Sequence, residues 1–247
     1  MKQVVIGIIP TSNLYKTDNP YDDYYKFINL YAKKVYECQA IPIGILLEDG
    51  RINYDALKLC DGFLIQGGNK IESYIYQIIY YAIQKNIPLL GVCMGAQAIA
   101  IFSNIYEYIN PLNKYSSTDI KNIYDDLKLK YNGSLLSKLP EPNIHSGHVK
   151  HRDNVDDIRH NVEIKRNTRA YEIYKDDCIS VCSLHNFAFK HVGKNFLISG
   201  YAKDGVEEII EYDDPNYFIV GVHYHPELEI DTTIFEYFIK EAEKRKN

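Results

Sequence analysis

Two short apolar segments meet at a turn that contains two glycines and a cysteine. Residues 87–92 form the first segment, the sequence G-V-C-M-G occupies 91–95, and a second apolar segment follows at once over 96–102. We predict a strand, a sharp turn and a helix, because side chains at positions 91 and 95 would collide where backbone approaches backbone. This is the pattern of a nucleophile elbow, with cysteine as the nucleophile.

The predicted turn would place the sulfur of Cys93 at the N-terminus of the following helix. There, free N–H groups and the helix dipole favour a thiolate over a thiol. The alternative is that Cys93 is a small apolar side chain between a buried strand and a buried helix. The pentapeptide alone leaves both interpretations open, since short motifs also arise by chance.

Strand-like and helix-like segments alternate along the first hundred residues. Strands are predicted at 4–9, 41–47, 63–66 and 87–92, and helices at 22–38, 54–59, 71–85 and after Cys93. Such βαβ units predict an α/β fold with a mostly parallel central sheet and helices on both faces, a flavodoxin-like three-layer arrangement. Reactive groups of these sheets collect beyond the carboxyl ends of the strands. Cys93 and the Gly67–Gly68 turn are both expected there.

The second half of the chain contains shorter strand-like segments, which predict a smaller antiparallel β region. They lie near 161–165, 179–182, 196–202, 206–212 and 217–223, with a helical turn at 169–174 and a final helix that begins at Asp231. Without a repeat, a linker or a second core pattern, we expect one domain over residues 1–247. Residues 105–131 have the pattern of an insertion, containing a helix near 119–129, which could form a lid or a partner surface.

Composition and charge argue against several classes of protein. The net charge of −5 lacks the basic excess of nucleic-acid-binding proteins. No stretch of about 20 apolar residues predicts a membrane span. The five cysteines are odd in number and show no disulfide framework, so a reducing cytoplasm is expected.

A histidine and a glutamate two residues apart follow the last predicted strand. His225-Pro226-Glu227 comes directly after the apolar segment 218–222. A thiol nucleophile needs a base, and the base needs a third group that fixes its tautomer and orientation. Residues i and i+2 of an extended chain point the same way, so His225 and Glu227 could supply both groups. Taken alone, His225 would be interpreted as a histidine in a turn and Glu227 as a solvated carboxylate. Together with an elbow cysteine at the same sheet edge, the pair favours a catalytic site.

Three motifs together resemble the class I glutamine amidotransferase-like superfamily. They are G-V-C-M-G-A-Q at 91–97, D-G-V-E-E-I-I-E at 204–211 and G-V-H-Y-H-P-E at 221–227. Within the superfamily the sequence is most similar to the γ-glutamyl-γ-aminobutyrate hydrolase branch, which shows G-[IV]-C-R-G-x-Q, S-x-H-H-Q, D-G-x-x-E and G-V-Q-W-H-P-E. The resemblance covers nearly the whole chain.

The resemblance implies a role for each matching residue. Cys93 would be the nucleophile, His225 the base and then the acid, and Glu227 the orienting carboxylate. The backbone N–H groups of Gly68 and Met94 would form the oxyanion hole. Substrate contacts are expected from four residues: Gln97, His185, Asn186 and Phe187. The substrate would be a small γ-glutamyl amide, and neither a cofactor nor a metal is expected.

Four departures from the branch border the expected substrate. Met94 replaces an arginine, Phe187 replaces a glutamine, His223-Tyr224 replaces Q-W, and the segment after Gly68 lacks the usual Asp-x-x-Pro. None of them removes a predicted catalytic group. The leaving amine therefore need not be γ-aminobutyrate.

Three histidines at 145, 148 and 151 raise the question of a metal. Their spacing, without a cysteine or carboxylate companion, matches no zinc motif. We therefore expect them to be loop or pocket-edge residues.

Three functions remain open at this point. The leading hypothesis is a hydrolase that cleaves a γ-glutamyl amide through a glutamyl thioester and releases glutamate and an amine. The second is a glutaminase subunit that supplies ammonia to a separate synthetase. The third is a non-catalytic binding protein of the same fold. The oligomeric state is open, with a homodimer or a synthetase partner as the alternatives to a monomer.

Overall fold

The computed structural model describes residues 3–14, 18–109, 117–147 and 152–245. Within these residues, a nine-stranded sheet runs through the molecule in the order β4-β1-β5-β6-β13-β12-β11-β8-β9. Two further pairs, β2–β3 and β7–β10, lie outside it. The strands are β1 Val5–Ile9, β2 Thr11–Asn13, β3 Tyr24–Lys26, β4 Ile41–Gly44, β5 Gly62–Ile65, β6 Leu89–Val92, β7 Leu136–Lys138, β8 Arg159–Ile164, β9 Cys178–Cys182, β10 Phe187–Phe189, β11 Phe196–Ala202, β12 Glu207–Tyr212 and β13 Ile219–Val222.

The sheet has a parallel half and an antiparallel half. Strands β4, β1, β5, β6 and β13 are parallel to one another. From β13 onward, β12, β11, β8 and β9 pair antiparallel. The predicted α/β class is confirmed, and the antiparallel strands extend the central sheet instead of forming a layer of their own.

Helices cover both faces of the sheet. They are α1 Asn29–Glu37, α2 Tyr54–Leu57, α3 Ser73–Lys85, α4 Met94–Ile109, α5 Ser117–Lys130, α6 Arg169–Tyr174 and α7 Thr233–Lys244. One buried cluster contains residues of α3, α4 and α5, and the other contains residues of α1, α6 and α7. Along β5, Phe63 and Ile65 belong to the first cluster and Leu64 to the second. The strand is therefore apolar on both faces, as expected for a buried parallel strand.

The predicted helix over 22–38 is wrong in its first part. Strand β3 occupies Tyr24–Lys26 and pairs antiparallel with β2, and the helix begins only at Asn29. The side chain of Gln66 accepts a hydrogen bond from the backbone N–H of Ile28 (2.8 Å) and donates one to the carbonyl of Lys26 (2.6 Å). These contacts hold the chain extended where the apolar spacing alone favours a helix.

The segment proposed as an insertion packs against the core in its described part. Helix α5 lies on α3 and α4, and its side chains Ile120 and Leu127 are buried. None of the helices in the described residues is long and apolar enough to cross a membrane.

Candidate active site

The turn at Cys93 has the predicted elbow geometry. Cys93 lies between β6 and α4 with a φ of 50°, in the left-handed region. A Cβ on Gly91 would lie 2.7 Å from the carbonyl carbon of Gly95, and a Cβ on Gly95 would lie 2.4 Å from the carbonyl oxygen of Ile65. Both distances are far below van der Waals contact with backbone atoms. The two glycines therefore allow the close approach that places the cysteine at the strand end.

His225 reaches the same sheet edge because β13 is the parallel neighbour of β6. Val222 pairs with Val92, and the backbone N–H of Cys93 donates to the carbonyl of Val222 at 2.8 Å. Glu227 lies in a short 3-10 helix, Pro226–Leu228, that begins directly after His225. Its Oε1 accepts a hydrogen bond from His225 Nδ1 at 2.7 Å. The ring therefore carries a proton on Nδ1 and presents Nε2 to its surroundings.

The imidazole and the thiol meet beside Gly67. A Cβ on Gly67 would lie 3.3 Å from His225 Cε1 and 3.5 Å from Cys93 Cβ. His225 Nε2 is buried and has no hydrogen-bond partner among the described residues. The atom that a general base would use is therefore uncommitted and close to the sulfur-bearing side chain.

The charges around His225 favour its protonated form. Burial lowers the pKa of His225, but the negative charges of Glu227 and Cys93 outweigh burial and hold the pKa well above its ordinary value. Tyr31, on α1, is also buried here. Burial raises the pKa of its phenol, and the charges of Glu227 and Cys93 raise it further. Tyr31 is therefore neutral, and its hydroxyl oxygen accepts a hydrogen bond from Gly67 N–H at 3.0 Å.

The two predicted oxyanion donors have no competing partner. Among the residues that the structure describes, neither the N–H of Gly68 nor that of Met94 donates a hydrogen bond to the protein. A Cβ on Gly68 would lie 2.5 Å from Thr11 Cγ2 and 3.2 Å from Met94 Cε, so the two residues are neighbours. Both N–H groups are therefore free for a ligand oxygen.

A cleft of about 380 Å³ opens at this sheet edge. Its lining combines the strand ends with the β2–β3 pair, which the sequence did not predict. The lining residues are Thr11, Ser12, Asn13, Tyr24, Lys26, Ile28, Gly67, Gly68, Asn69, Lys70, Cys93, Leu184 and His225. The lining includes Lys26 and Lys70, and Lys70 is paired with Glu72 at 2.7 Å.

The four predicted substrate-contact residues do not line this cleft. Gln97 is buried, with its side-chain nitrogen 3.1 Å from Nε2 of His223. His185 is buried against Glu208, with Nε2 3.1 Å from Oε1. Asn186 and Phe187 are exposed. From the segment that contains the last three, Leu184 is the residue that lines the cleft.

Two residues of the site were missed by the sequence analysis. Tyr31 was assigned only to the apolar face of a helix, and nothing in the sequence distinguishes its hydroxyl. Gln66 is fully buried and joins the end of β5 to the segment between β3 and α1. The sequence does mark Gln66, because a polar residue is unusual at the buried end of an apolar strand.

His145 lies in a buried group of potential metal ligands with His160, His185 and Glu208. None of the four lines the cleft. The two histidines considered with it in the sequence, His148 and His151, lie outside the described residues.

Comparison with known proteins supports the amidotransferase-like assignment. Residues 124–227 match the Peptidase C26 family, a range that includes His225 and Glu227 and does not reach Cys93. The chain is 28% identical over 233 residues to CTP synthase of Methanosphaera stadtmanae, and 25% identical over 286 aligned positions to a glutamine amidotransferase-like protein of Rickettsia prowazekii. The glutaminase domain of Trypanosoma brucei CTP synthase, solved with bound acivicin, superposes with a TM-score of 0.65 at 17% identity, covering 99% of this chain and 96% of that domain.

The extent of these matches differs. The alignment with the Methanosphaera enzyme covers 87% of this chain and 39% of the enzyme, whereas the alignment with the Rickettsia protein covers 96% of both. The chain therefore has the glutamine amidotransferase-like fold, and its sequence is similar to that of the glutamine amidotransferase-like protein of Rickettsia prowazekii. The similarity to the γ-glutamyl-γ-aminobutyrate hydrolase branch stays a prediction.

Proposed function

We propose that this chain is a cysteine-dependent amidohydrolase that cleaves the side-chain amide of glutamine into glutamate and ammonia. One observation carries the proposal. Cys93, His225 and Gly68 line one cleft, and His225 is hydrogen-bonded to Glu227. Met94 directly follows Cys93, and its backbone N–H has no partner among the described residues. These are the nucleophile, the oriented base and the oxyanion donors that acyl transfer through a thioester requires.

The chemistry proceeds in two steps. The thiolate of Cys93 attacks the side-chain carbonyl carbon, and the N–H groups of Gly68 and Met94 stabilise the oxyanion. The imidazolium of His225 gives its Nε2 proton to the leaving nitrogen as the carbon–nitrogen bond breaks, which leaves a glutamyl thioester and ammonia. His225 then takes a proton from water as the water attacks the thioester, and the carbon–sulfur bond breaks to release glutamate. Glu227 keeps the ring oriented in both steps.

Glutamine is the favoured substrate because of the proteins that this chain resembles and because of the residues that line the cleft. The proteins similar to this chain include CTP synthases, and one matching structure is named a glutaminase domain. The residue that replaces the branch's glutamine, Phe187, is 41% exposed and lies away from the cleft lining. Lys26, which lines the cleft, would attract the α-carboxylate of free glutamine.

Hydrolysis of a larger γ-glutamyl amine is the second candidate. The resemblance of residues 91–97, 204–211 and 221–227 to the hydrolase branch favours it. Both candidates use the same acyl chemistry and differ in the leaving amine. In the first, ammonia could pass to a synthetase partner; in the second, no partner is needed.

Loss of the nucleophile is the first test. Cys93→Ala should abolish glutamate release from glutamine, because no other thiol lines the cleft in the described residues. Cys178→Ala is the matched control: this cysteine is exposed on β9, and its replacement should leave the rate unchanged. The assay measures glutamate with glutamine and with a panel of γ-glutamyl amines.

The substrate panel separates the alternatives. Turnover of glutamine, alone or stimulated by an added synthetase, supports the proposal. Turnover of the amines but not of glutamine favours the second candidate. A Cys93→Ala protein that retains full activity would overturn the assignment of the nucleophile. A wild-type chain that neither turns over any of these substrates nor reacts with an electrophilic glutamine analogue would point to a binding protein.

A further inference from the structure

Four buried side chains from different segments converge away from the cleft. His145 lies between β7 and β8, His160 lies on β8, His185 lies between β9 and β10, and Glu208 lies on β12. All four are at most 8% exposed. Their potential metal-ligating atoms all lie within 4.8 Å of one another. We call these four residues the histidine–glutamate cluster.

One carboxylate oxygen is the centre of the cluster. Glu208 Oε1 lies 2.9 Å from His145 Nδ1, 3.1 Å from His185 Nε2 and 3.5 Å from His160 Nε2. The ligand atoms of a tetrahedral zinc ion with bonds of about 2.0–2.1 Å lie about 3.3 Å apart. Two of the three distances between Oε1 and the histidine nitrogens are shorter than this ligand–ligand distance, and one is longer.

The outer nitrogens of two histidines carry a proton. His145 Nε2 lies 3.0 Å from Asp204 Oδ2, and His185 Nδ1 lies 2.9 Å from the carbonyl oxygen of Phe187. A carboxylate and a carbonyl only accept hydrogen bonds, so each of these nitrogens must be the donor. In a neutral imidazole the other nitrogen then has a bare lone pair, and in both residues that nitrogen faces Glu208.

In His160, too, one ring nitrogen faces a carbonyl oxygen and the other faces the cluster. Its Nδ1 lies 3.2 Å from the carbonyl oxygen of Asn161, and its Nε2 lies 2.7 Å from the hydroxyl of Ser183. The hydroxyl can donate to the lone pair on Nε2 when no ion is bound. Three inward lone pairs and a carboxylate therefore face one point.

Without a cation this arrangement is poorly satisfied. His145 Nδ1 and Glu208 Oε2 are buried and have no hydrogen-bond partner of proper geometry in the described part of the chain. The His145 ring also lies close to the two other imidazoles of the cluster, with ring centroids 4.6 Å from His160 and 4.8 Å from His185. A divalent cation satisfies the lone pairs and the carboxylate together.

We propose that the histidine–glutamate cluster is a structural site for a divalent transition metal, with zinc as the preferred ion. Three imidazoles and one carboxylate form a closed four-ligand set of the donor types that zinc takes. Asp204 and the carbonyl oxygens of Asn161 and Phe187 orient the ligand rings, as outer hydrogen-bond acceptors do in zinc proteins. This metal site is separate from the proposed glutaminase site, and the proposal does not depend on the glutaminase chemistry.

The bound ion would stabilise the part of the cleft wall that contains Leu184. His185 is adjacent to Leu184, which lines the cleft, and its ring stacks on His223 at 3.9 Å with an interplanar angle of 7°. His223 in turn contacts Gln97 on the helix that follows Cys93. Metal bound to four separate segments would hold this wall in place without touching the substrate.

The test is metal content measured on the full chain without a histidine tag. We expect about one zinc ion per chain after growth with zinc and dialysis against metal-free buffer. Glu208→Gln and His145→Gln should lower the content at least twofold, whereas His191→Gln, a histidine outside the cluster, should leave it unchanged. Cobalt added to the stripped protein should give the visible absorption of a tetrahedral site.

A thermal measurement on the wild-type chain avoids dependence on variants that fail to fold. After removal of metal with a chelator, zinc at a hundred times its dissociation constant should raise the unfolding midpoint by about 5–10 °C. Magnesium, which prefers six oxygen ligands, should not. A folded wild-type chain with background metal content, no cobalt spectrum and no shift of the midpoint with zinc, cobalt or manganese would overturn the proposal. The cluster would then be a buried ion-pair network.

Discussion

The contact between His225 and Glu227 sets the chemistry available to the imidazole. Glu227 Oε1 accepts from Nδ1 at 2.7 Å, so Nε2 is the nitrogen that can exchange a proton with a thiol or a leaving group. Burial opposes a charged ring, yet Glu227 and Cys93 hold the pKa of His225 well above its ordinary value. This electrostatic balance favours a protonated imidazole at His225.

Replacing Glu227 by glutamine should test the role of this carboxylate in holding His225. Glu227→Gln keeps the volume and removes the negative charge, so the ring loses both its preferred tautomer and the stabilisation of its cation. We expect the rate of glutamate release to fall about 10³–10⁴-fold, as in other triads that lose the third member. Steady-state kinetics on glutamine measures it, and a loss of less than about tenfold would contradict the role of Glu227.

The same substitution should change how stability depends on pH. The folded-state pKa of His225 lies above its value of about 6.5 in an unfolded chain. Its contribution to the free energy of unfolding is therefore fully present below about pH 6.5 and is lost as pH rises through the raised pKa. The difference in unfolding free energy between wild type and Glu227→Gln should shrink as pH rises from about 6 toward 9. Urea denaturation at several pH values measures it, and an unchanged difference would contradict the assignment.

At the residue scale the sequence was more informative about the reacting groups than about the substrate contacts. Cys93, His225 and Glu227 could be proposed as reacting groups because glycines, a strand end and an i, i+2 spacing restrict where they can point. Gln97 and His185 could not be assigned in the same way. Both contact other buried polar side chains, and no sequence pattern distinguishes a residue that faces the cleft from one that faces the interior.

At the scale of elements, strand order brings the candidate residues together. Strands β6 and β13 are far apart in sequence and adjacent and parallel in the sheet, with Val92 opposite Val222. Each ends at the same edge, so Cys93 and His225 meet there. Hydrophobic periodicity indicated these strands correctly. It failed over 22–28, where pairing with β2 and the contacts of Gln66 overrode the helical spacing.

Helix α5 should contribute to stability and not to substrate binding. Leu127 is 2% exposed against α3 and α4, whereas Leu129, two residues later, is 78% exposed. Leu127→Ala should lower the free energy of unfolding by about 2–5 kcal/mol because it leaves a cavity. Leu129→Ala, the matched control, should change it by less than about 0.5 kcal/mol.

Urea denaturation of both variants, with Michaelis constants for glutamine measured in parallel, checks this prediction. Among the described residues, none from α5 lines the cleft, so neither variant should change the Michaelis constant. A raised Michaelis constant in a folded Leu127→Ala protein would restore the interpretation of this segment as a lid.

At the scale of the whole molecule, the two halves of the sheet have different roles. The parallel half carries Cys93 and the N–H groups of Gly68 and Met94. The antiparallel half holds the backbone of His225 in position. The N–H of His225 donates to the carbonyl of Cys182 on β9 at 2.7 Å. Arg159 on β8 forms a bidentate pair with Glu229, at 2.7 and 3.1 Å, just beyond the 3-10 helix that contains Glu227. Both halves are therefore needed to position the site.

The covalent intermediate offers the most direct test of the central proposal. The protein is mixed with glutamine, quenched in acid within its first turnover, digested and analysed by mass spectrometry, with Cys178→Ala and Cys93→Ala treated alongside. We predict a glutamyl group on the peptide that contains Cys93, in wild type and Cys178→Ala and not in Cys93→Ala. Release of glutamate at an undiminished rate by Cys93→Ala, or a glutamyl group carried by a different residue, would contradict it.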